Sequence, residues 1–137
     1  MALLDPHSFC DDSQAKIEDI ELKLHLDFDR QILHGQVMLR WTGEQASILD
    51  LDTKDLEIEK VTTISGKELA FSLDLDDPIK GQRLRIQCEQ DPASEKAVVI
   101  KYQTSPHASA LQWLEASQTT GQKLPYVFTQ CQPIHAR

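Results

Sequence analysis

Hydrophobic and polar residues alternate along much of this chain. In the first clear case, apolar side chains occupy every second position of residues 20–28. A period of two places the apolar and polar side chains on opposite faces of an extended strand, which predicts a half-buried β-strand. Residues 29–31 are typical of a turn, and residues 37–41 alternate again, which predicts an antiparallel partner. We therefore expect a β-hairpin near the start of the domain.

The same alternation recurs later in the sequence. Residues 69–75, 84–88 and 98–102 each predict a strand, and residues 56–64 shift phase near Lys60, which predicts a β-bulge. Pro78 and Gly81 mark a turn between two of these strands because proline fixes φ and glycine permits positive φ. No helical period extends beyond a turn or two. The sequence predicts an all-β fold of several short strands.

The last part of the chain combines a loop with a final strand. Residues 105–122 lack alternation and predict an ordered loop, with a helical turn at residues 115–118. Residues 126–128 predict the last strand, which would carry Gln130, Cys131 and Gln132 at its end. On such a strand both glutamines point to one face and the cysteine to the other. Two carboxamides suit a peptide backbone or an α-ammonium group, although bonding within their own sheet remains an open alternative.

Composition restricts the class of protein. The 137 residues, 40% hydrophobic and 26% charged, predict one folded domain over residues 1–137, with a loose N-terminus over residues 1–15. A net charge of −8 argues against nucleic acid as a partner, because binding to phosphates requires clustered Lys and Arg. The sequence contains neither a signal peptide nor the run of about 20 apolar residues that crosses a membrane. We expect a cytoplasmic protein with no membrane partner and three reduced cysteines.

Catalytic motifs are missing from the sequence. There is no HExxH, so we predict no catalytic residue and no metal ligand in this chain. Cys131 and His135 stand four residues apart, but two ligands are too few for a structural zinc site. Nothing around Cys131 indicates a nucleophile activated by His135 or His107. Asp50 and Asp52 fail the pattern of a calcium loop and are typical of turns and solvated faces.

Several segments resemble the β-rich N-terminal part of zinc aminopeptidases of the leukotriene-A(4) hydrolase and aminopeptidase B kind. Residues 49–61 are similar to an early strand segment of that family, and residues 102–106 lead into Ser-Ala-Leu-Gln-Trp-Leu at 109–114. The most specific match is Gln-Cys-Gln-Pro-Ile-His at 130–135, which follows the pair Pro125 and Tyr126. The order and length of these matches identify the chain as a member of the family.

The resemblance implies a saddle of β-sheets, sandwich-like and antiparallel or mixed, that packs on a catalytic zinc domain and a helical domain. It implies that Gln130, Cys131 and Gln132 contact the N-terminal part of a peptide substrate. Many related aminopeptidases carry glutamate at the position of Gln132. In having glutamine there, this chain resembles the leukotriene-A(4) hydrolase subgroup. The single zinc ion and the groups that activate water would lie downstream of Arg137.

Two hypotheses follow from the sequence. In the first, the chain is a noncatalytic N-terminal domain whose missing catalytic and helical domains complete the peptide site. That hypothesis expects an exposed apolar docking face, through which the isolated chain could self-associate. In the second, the chain is a stand-alone β-sandwich binding or scaffold module without peptidase chemistry. That alternative expects a monomer without an exposed apolar patch.

Overall fold

The computed structural model describes residues 5–11, 15–44, 46–89, 93 and 95–135, without the side chains of residues 133 and 134. Within these residues the protein is nearly all β, as predicted. These ranges contain nine strands, one 3₁₀ turn at Ala116–Gln118 and one helical turn, α1, at Gln132–His135. The strands are β1 Lys16–Asp27, β2 Ile32–Thr42, β3 Ile48–Thr53, β4 Leu56–Thr62, β5 Phe71–Leu73, β6 Gln82–Gln87, β7 Ala97–Thr104, β8 Leu111–Leu114 and β9 Tyr126–Thr129.

The strands form three antiparallel sheets. Strands β1, β2, β7 and β4 make a four-stranded sheet in that order, and β3, β6 and β5 make a three-stranded sheet. Strands β8 and β9 form a separate two-stranded hairpin. The predicted first hairpin is confirmed by the pairing of β1 with β2, from Lys16 opposite Thr42 to Asp27 opposite Ile32. The predicted bulge is also confirmed, since the register of β4 against β7 shifts between Ile58 and Lys60.

The core lies between the four-stranded and three-stranded sheets. Leu84 and Ile86 of β6 are almost completely buried, as are Val61 of β4 and Val98 of β7. Because both sheets contribute to one buried cluster, they pack face to face as a sandwich. The remaining buried members of that cluster are Leu39, Trp41, Ala46, Leu49, Cys88 and Ile100.

The interpretation of Asp50 as a solvated turn residue was wrong. Asp50 lies on β3, is 5% exposed, and accepts two hydrogen bonds of 2.8 Å from Nε and Nη2 of Arg85. Arg85 stands directly opposite Asp50 in the register of β3 with β6. A bidentate guanidinium satisfies the carboxylate, which is why a charged residue tolerates burial here. The pKa of Arg85 is raised because Asp50 accepts its hydrogen bonds and carries the opposite charge.

Strand β5 is shorter than predicted. The alternation extends over residues 69–75, but only Phe71–Leu73 pair with β6. Before that point the Leu69 N–H donates to the Val61 carbonyl, 2.9 Å away, on the four-stranded sheet. The chain therefore crosses from one sheet to the other within the alternating stretch, and beyond β5 Leu75 is 95% exposed.

Strand β1 differs from the prediction in its burial. Residues on its apolar face are exposed to 62% at Ile20, 52% at Leu22, 44% at Leu24 and 41% at Leu26. Their direct partners on β2 are Leu39, Val37, Gly35 and Leu33. Directly opposed residues of an antiparallel pair share a face, and Leu39 and Leu33 of this set are buried. One continuous apolar face is thus covered at β2 and open at β1.

Part of the N-terminal stretch contacts the three-stranded sheet. The Ser8 hydroxyl donates to Oδ2 of Asp52 at 2.6 Å, and the Phe9 N–H donates to Oδ1 at 2.7 Å. The Phe9 ring lies 5.0 Å from the ammonium group of Lys80 and 5.8 Å from the guanidinium of Arg83. Residues 1–4 and 12–14, which belong to the stretch predicted to be loose, lie outside the described residues.

No helix in the described ranges is long and apolar enough to span a bilayer.

Candidate functional site

The hairpin of β8 and β9 carries the candidate site. Strand β8, Leu111–Leu114, lies inside the stretch that was predicted to be a loop, and it pairs with Tyr126–Thr129. Sequence reasoning missed β8 because only four residues form it and their apolar positions do not alternate over a longer stretch. The predicted helical turn is present as the 3₁₀ turn, where Gln118 Oε1 accepts from the Glu115 N–H at 2.9 Å.

The predicted geometry of the glutamine pair was wrong. Strand β9 ends at Thr129, and Gln132 begins α1 with a φ of 48° in the left-handed region. The alternation of a strand therefore does not extend to Gln132, and the argument that both glutamines share a strand face no longer holds. Gln130 and Gln132 are exposed and Cys131 is half-buried. These three residues form a turn rather than a strand end.

Hydrogen bonds hold this turn at both ends. The Gln130 N–H donates to the Ala110 carbonyl at 3.0 Å, and the His135 N–H donates to the Cys131 carbonyl at 3.1 Å. Oγ of Ser109 lies 3.2 Å from Nδ1 of His135. A non-glycine residue in the left-handed region costs about 1 kcal/mol. The three contacts together fix a backbone that Gln132 would not adopt readily alone.

The hairpin of β8 and β9 contacts the turn between β1 and β2. The ring of Phe28 meets Trp113 edge to face, with 5.4 Å between the centroids. Nε2 of Gln31 donates to Oε1 of Glu115 at 3.3 Å. The indole N–H of Trp113 is buried and has no acceptor among the described residues. These contacts set the position of the turn at 130–132 relative to the four-stranded sheet.

A groove separates the hairpin from the open part of the four-stranded sheet. Its volume is about 590 Å³, and its lining includes apolar side chains from the hairpin and from the four-stranded sheet. Cys131 and His135 also line it, next to the candidate site. The apolar residues on β1, β2, β4 and β8 are Ile20, Leu22, Leu33, Leu56 and Leu111.

The described residues provide no metal centre. They bring together no group of three His, Cys, Asp or Glu side chains able to hold a metal ion. No disulfide joins the three cysteines, all of which lie in the described ranges. Burial raises the pKa of the Cys88 thiol to about 11, and burial is also the main cause of the raised pKa of Cys10. Because only a thiolate is a strong nucleophile, neither Cys88 nor Cys10 is activated for catalysis.

Known proteins resemble this chain in sequence. Leukotriene A-4 hydrolase of Xenopus laevis is 38% identical over 139 residues, which cover 98% of this chain and 23% of that protein. Leucine aminopeptidase 2 of Yarrowia lipolytica is 37% identical over 134 residues, which cover 97% of this chain and 21% of that protein. The chain therefore spans about a fifth of the length of these relatives.

Solved structures agree with the sequence comparison. The structure of yeast LTA4 hydrolase in complex with bestatin superposes with a TM-score of 0.85 at 28% identity, and it covers 98% of this chain and 21% of that one. Native yeast LTA4 hydrolase gives a TM-score of 0.82 at 30% identity, covering 96% and 21%. The family model described as the Peptidase M1 N-terminal domain matches residues 16–137. The chain belongs to the Peptidase M1 N-terminal domain family.

Proposed function

We propose that this chain is the noncatalytic N-terminal part of a cytoplasmic zinc aminopeptidase that releases N-terminal residues from peptides. The exposed apolar face of β1 is the observation that carries the proposal. Four large aliphatic side chains alternate along that face, each more than 40% exposed. A contiguous apolar surface of this kind marks a contact with another protein segment.

The occupant of this face is the catalytic portion of the same larger protein. The relatives are four to five times longer than the matched segment, so most of each relative lies outside the region that this chain resembles. The groove also joins the open face to the turn at 130–132, because Ile20, Leu22 and Cys131 all line it. A segment docked there would stand beside the candidate substrate residues.

Gln130, Cys131 and Gln132 are the proposed substrate contacts. The carboxamide oxygens can accept hydrogen bonds from an α-ammonium group, and the amide nitrogens can donate to a peptide carbonyl. Both glutamine side chains are exposed and therefore accessible to a substrate. The zinc ion would supply the polarising charge and the activated water. Its ligands would come from outside this chain, since the described residues bring no suitable set together.

A chimaera tests the assembly. This chain would replace the matching segment of Yarrowia lipolytica leucine aminopeptidase 2, and hydrolysis of leucine p-nitroanilide would be measured. Activity in the chimaera supports the proposal, whereas a folded but inactive chimaera overturns it. Gln132→Ala should raise KM roughly tenfold, because one hydrogen bond to a charged group is lost. Gln122→Ala is the matched control, since Gln122 is exposed in the same hairpin and has a φ of 51°.

The isolated chain provides a second test. We expect it to self-associate through the open face, so sedimentation equilibrium should show a mass that rises with concentration. Leu22→Glu should weaken that association about tenfold or more, because it buries a charge in the contact. Leu75→Glu should leave it unchanged, since Leu75 is 95% exposed and follows β5, which belongs to the three-stranded sheet. A monomer at every concentration would favour the stand-alone binding module, which expects no exposed apolar patch.

A further inference from the structure

The turn at 130–132 depends on a part of the chain that lies twenty residues earlier. Gln132 has a φ of 48°, a conformation that L residues avoid, so the neighbouring structure must impose it. Ser109 and Ala110 contact the two ends of the turn. Ala110 accepts from the Gln130 N–H at 3.0 Å, and Ser109 Oγ meets His135 Nδ1 at 3.2 Å.

The segment before β8 has a fixed conformation of its own. The Ala108 N–H donates to the Ser105 carbonyl at 3.0 Å, and the Leu111 N–H donates to the Ala108 carbonyl at 3.1 Å. Oγ of Ser105 accepts from the His107 N–H at 3.1 Å. These local bonds make residues 105–111 a firm base on one side of the turn.

Among the described residues, three contacts fix the turn, and the one between Ser109 and His135 is made by side chains. The bonds of Gln130 and of His135 N–H use main-chain atoms, which substitution leaves in place. The contact between Ser109 and His135 therefore controls how firmly α1, and with it Gln132, is held against the hairpin. Both side chains are exposed, so removing either one should not disturb the buried core.

We propose that Ser109 and His135 are positioning residues that hold Gln130 and Gln132 in the geometry needed for substrate binding. This inference rests on the proposed function of the glutamines. Neither Ser109 nor His135 needs to touch the substrate. Their contact fixes the direction of α1, which begins at Gln132.

The first experiment uses the 137-residue chain. Ser109→Ala and His135→Ala should each increase amide hydrogen exchange at Gln130 and His135 about fivefold or more, because the turn opens more often. Ser117→Ala, an exposed serine of the same hairpin, should have no effect. Unchanged exchange in β7 would show that the fold is intact. Equal exchange rates in the wild type and in both variants would overturn the inference.

The second experiment uses the aminopeptidase chimaera described above. Ser109→Ala and His135→Ala should raise KM for leucine p-nitroanilide roughly tenfold with a smaller change in kcat. Ser109→Thr should restore KM, since threonine keeps the hydroxyl. If Gln132→Ala raises KM and the two other variants do not, the positioning role is wrong while the proposed function stands. If Gln132→Ala has no effect, the proposed function itself fails.

Discussion

One apolar face of the four-stranded sheet is buried on the central strands β2 and β7 but exposed on the edge strand β1. On β2 and β7 the face is closed by the three-stranded sheet, and Leu39 and Val98 are 7% and 1% exposed. On β1, Ile20 stands directly opposite Leu39 and is 62% exposed. Apolar and polar residues alternate along the sequence of β1 in the same way as along β2. Alternation therefore predicts which side chains share a face but does not predict how far the covering sheet extends.

The covering sheet has a limited reach because it is narrow. Its three strands are short, and β5 contains only three residues. The four-stranded sheet has strands of up to 12 residues, with β1 at its edge. The cover shields β4 at one edge, where Val61 is 1% exposed, but not β1 at the other edge. The open part is the face that we propose as the docking site of a catalytic portion.

The largest expected effect compares two leucines in strands. Leu84 of β6 is 1% exposed, whereas Leu22 of β1 is 52% exposed. Leu84→Ala should lower the free energy of unfolding by about 2–5 kcal/mol, through lost burial and a new cavity. Leu22→Ala should cost less than about 1 kcal/mol, since the side chain is already half in water. Urea denaturation at low protein concentration measures both losses. Similar losses would mean that β1 is covered in solution.

A close contact marks the boundary between the covered and open parts. A Cβ atom on Gly35 of β2 would lie 2.7 Å from Cε1 of Tyr102 on β7 and closer still to Cζ. Gly35→Ala should therefore destabilise the chain by about 1–3 kcal/mol, because the ring has to move. Equilibrium unfolding gives the size of the loss. Gly35→Ala combined with Tyr102→Leu should cost less than the sum of the two single changes.

Gly43→Ala is the control for backbone conformation. Gly43 has a φ of 92°, and no atom of the described residues lies within 4 Å of an added Cβ, so backbone strain is the expected effect of that variant. We expect a loss of about 1 kcal/mol that the Tyr102→Leu background leaves unchanged. If Gly35→Ala were also insensitive to Tyr102→Leu, the close approach of ring and strand would be refuted.

Ionisation of the buried Cys88 thiol makes the stability of the fold depend on pH. Its pKa is about 11 in the folded chain, because burial disfavours the thiolate, whereas an unfolded cysteine ionises near pH 8.5. Between these values the unfolded state releases a proton that the folded state keeps, so stability falls as pH rises. The loss attributable to Cys88 should reach about 2 kcal/mol at pH 10 and should be negligible below pH 8.

The control is the variant without this thiol. The urea midpoint should fall less between pH 8 and pH 10 in Cys88→Ala than in the wild type, because alanine has no thiol to ionise. Identical pH dependence in Cys88→Ala and the wild type would show that this thiol is not shielded from water in the folded chain.

The sequence predicts the fold class correctly, and the errors in individual elements have physical causes. Alternation correctly indicates β1, β2, β4, β6 and β7 because apolar residues recur at every second position along much of each strand. It misses β3, where Asp50 is buried by its pairing with Arg85 on a distant strand. The acids of β3 and the arginines of β6 alternate with leucine or isoleucine, and that complementary pattern was the available signal.

The site illustrates a different limit. Sequence similarity to a family indicates Gln130, Cys131 and Gln132, but the conformation of Gln132 depends on contacts with residues 109 and 110. Local periodicity contains no information about such contacts. The family resemblance predicted an exposed apolar docking face without assigning it to a strand, and alternation alone suggested that β1 is half-buried.

The smallest expected effect concerns the outer face of the covering sheet, where residues 8–10 lie. The Ser8 hydroxyl donates to Asp52 and accepts from the Cys10 N–H at 3.0 Å. Ser8→Ala should cost about 0.5–1.5 kcal/mol at most, because the contact is partly solvated. It should also increase amide exchange at Phe9, whose N–H donates to the same carboxylate. If the Phe9 amide exchanges at the rate of an unfolded peptide in the wild type, the N-terminal stretch is loose as the sequence predicts. If the Phe9 amide is protected and Ser8→Ala removes that protection, both faces of the three-stranded sheet are covered. The apolar face of β1 would then be more open than either face of the three-stranded sheet.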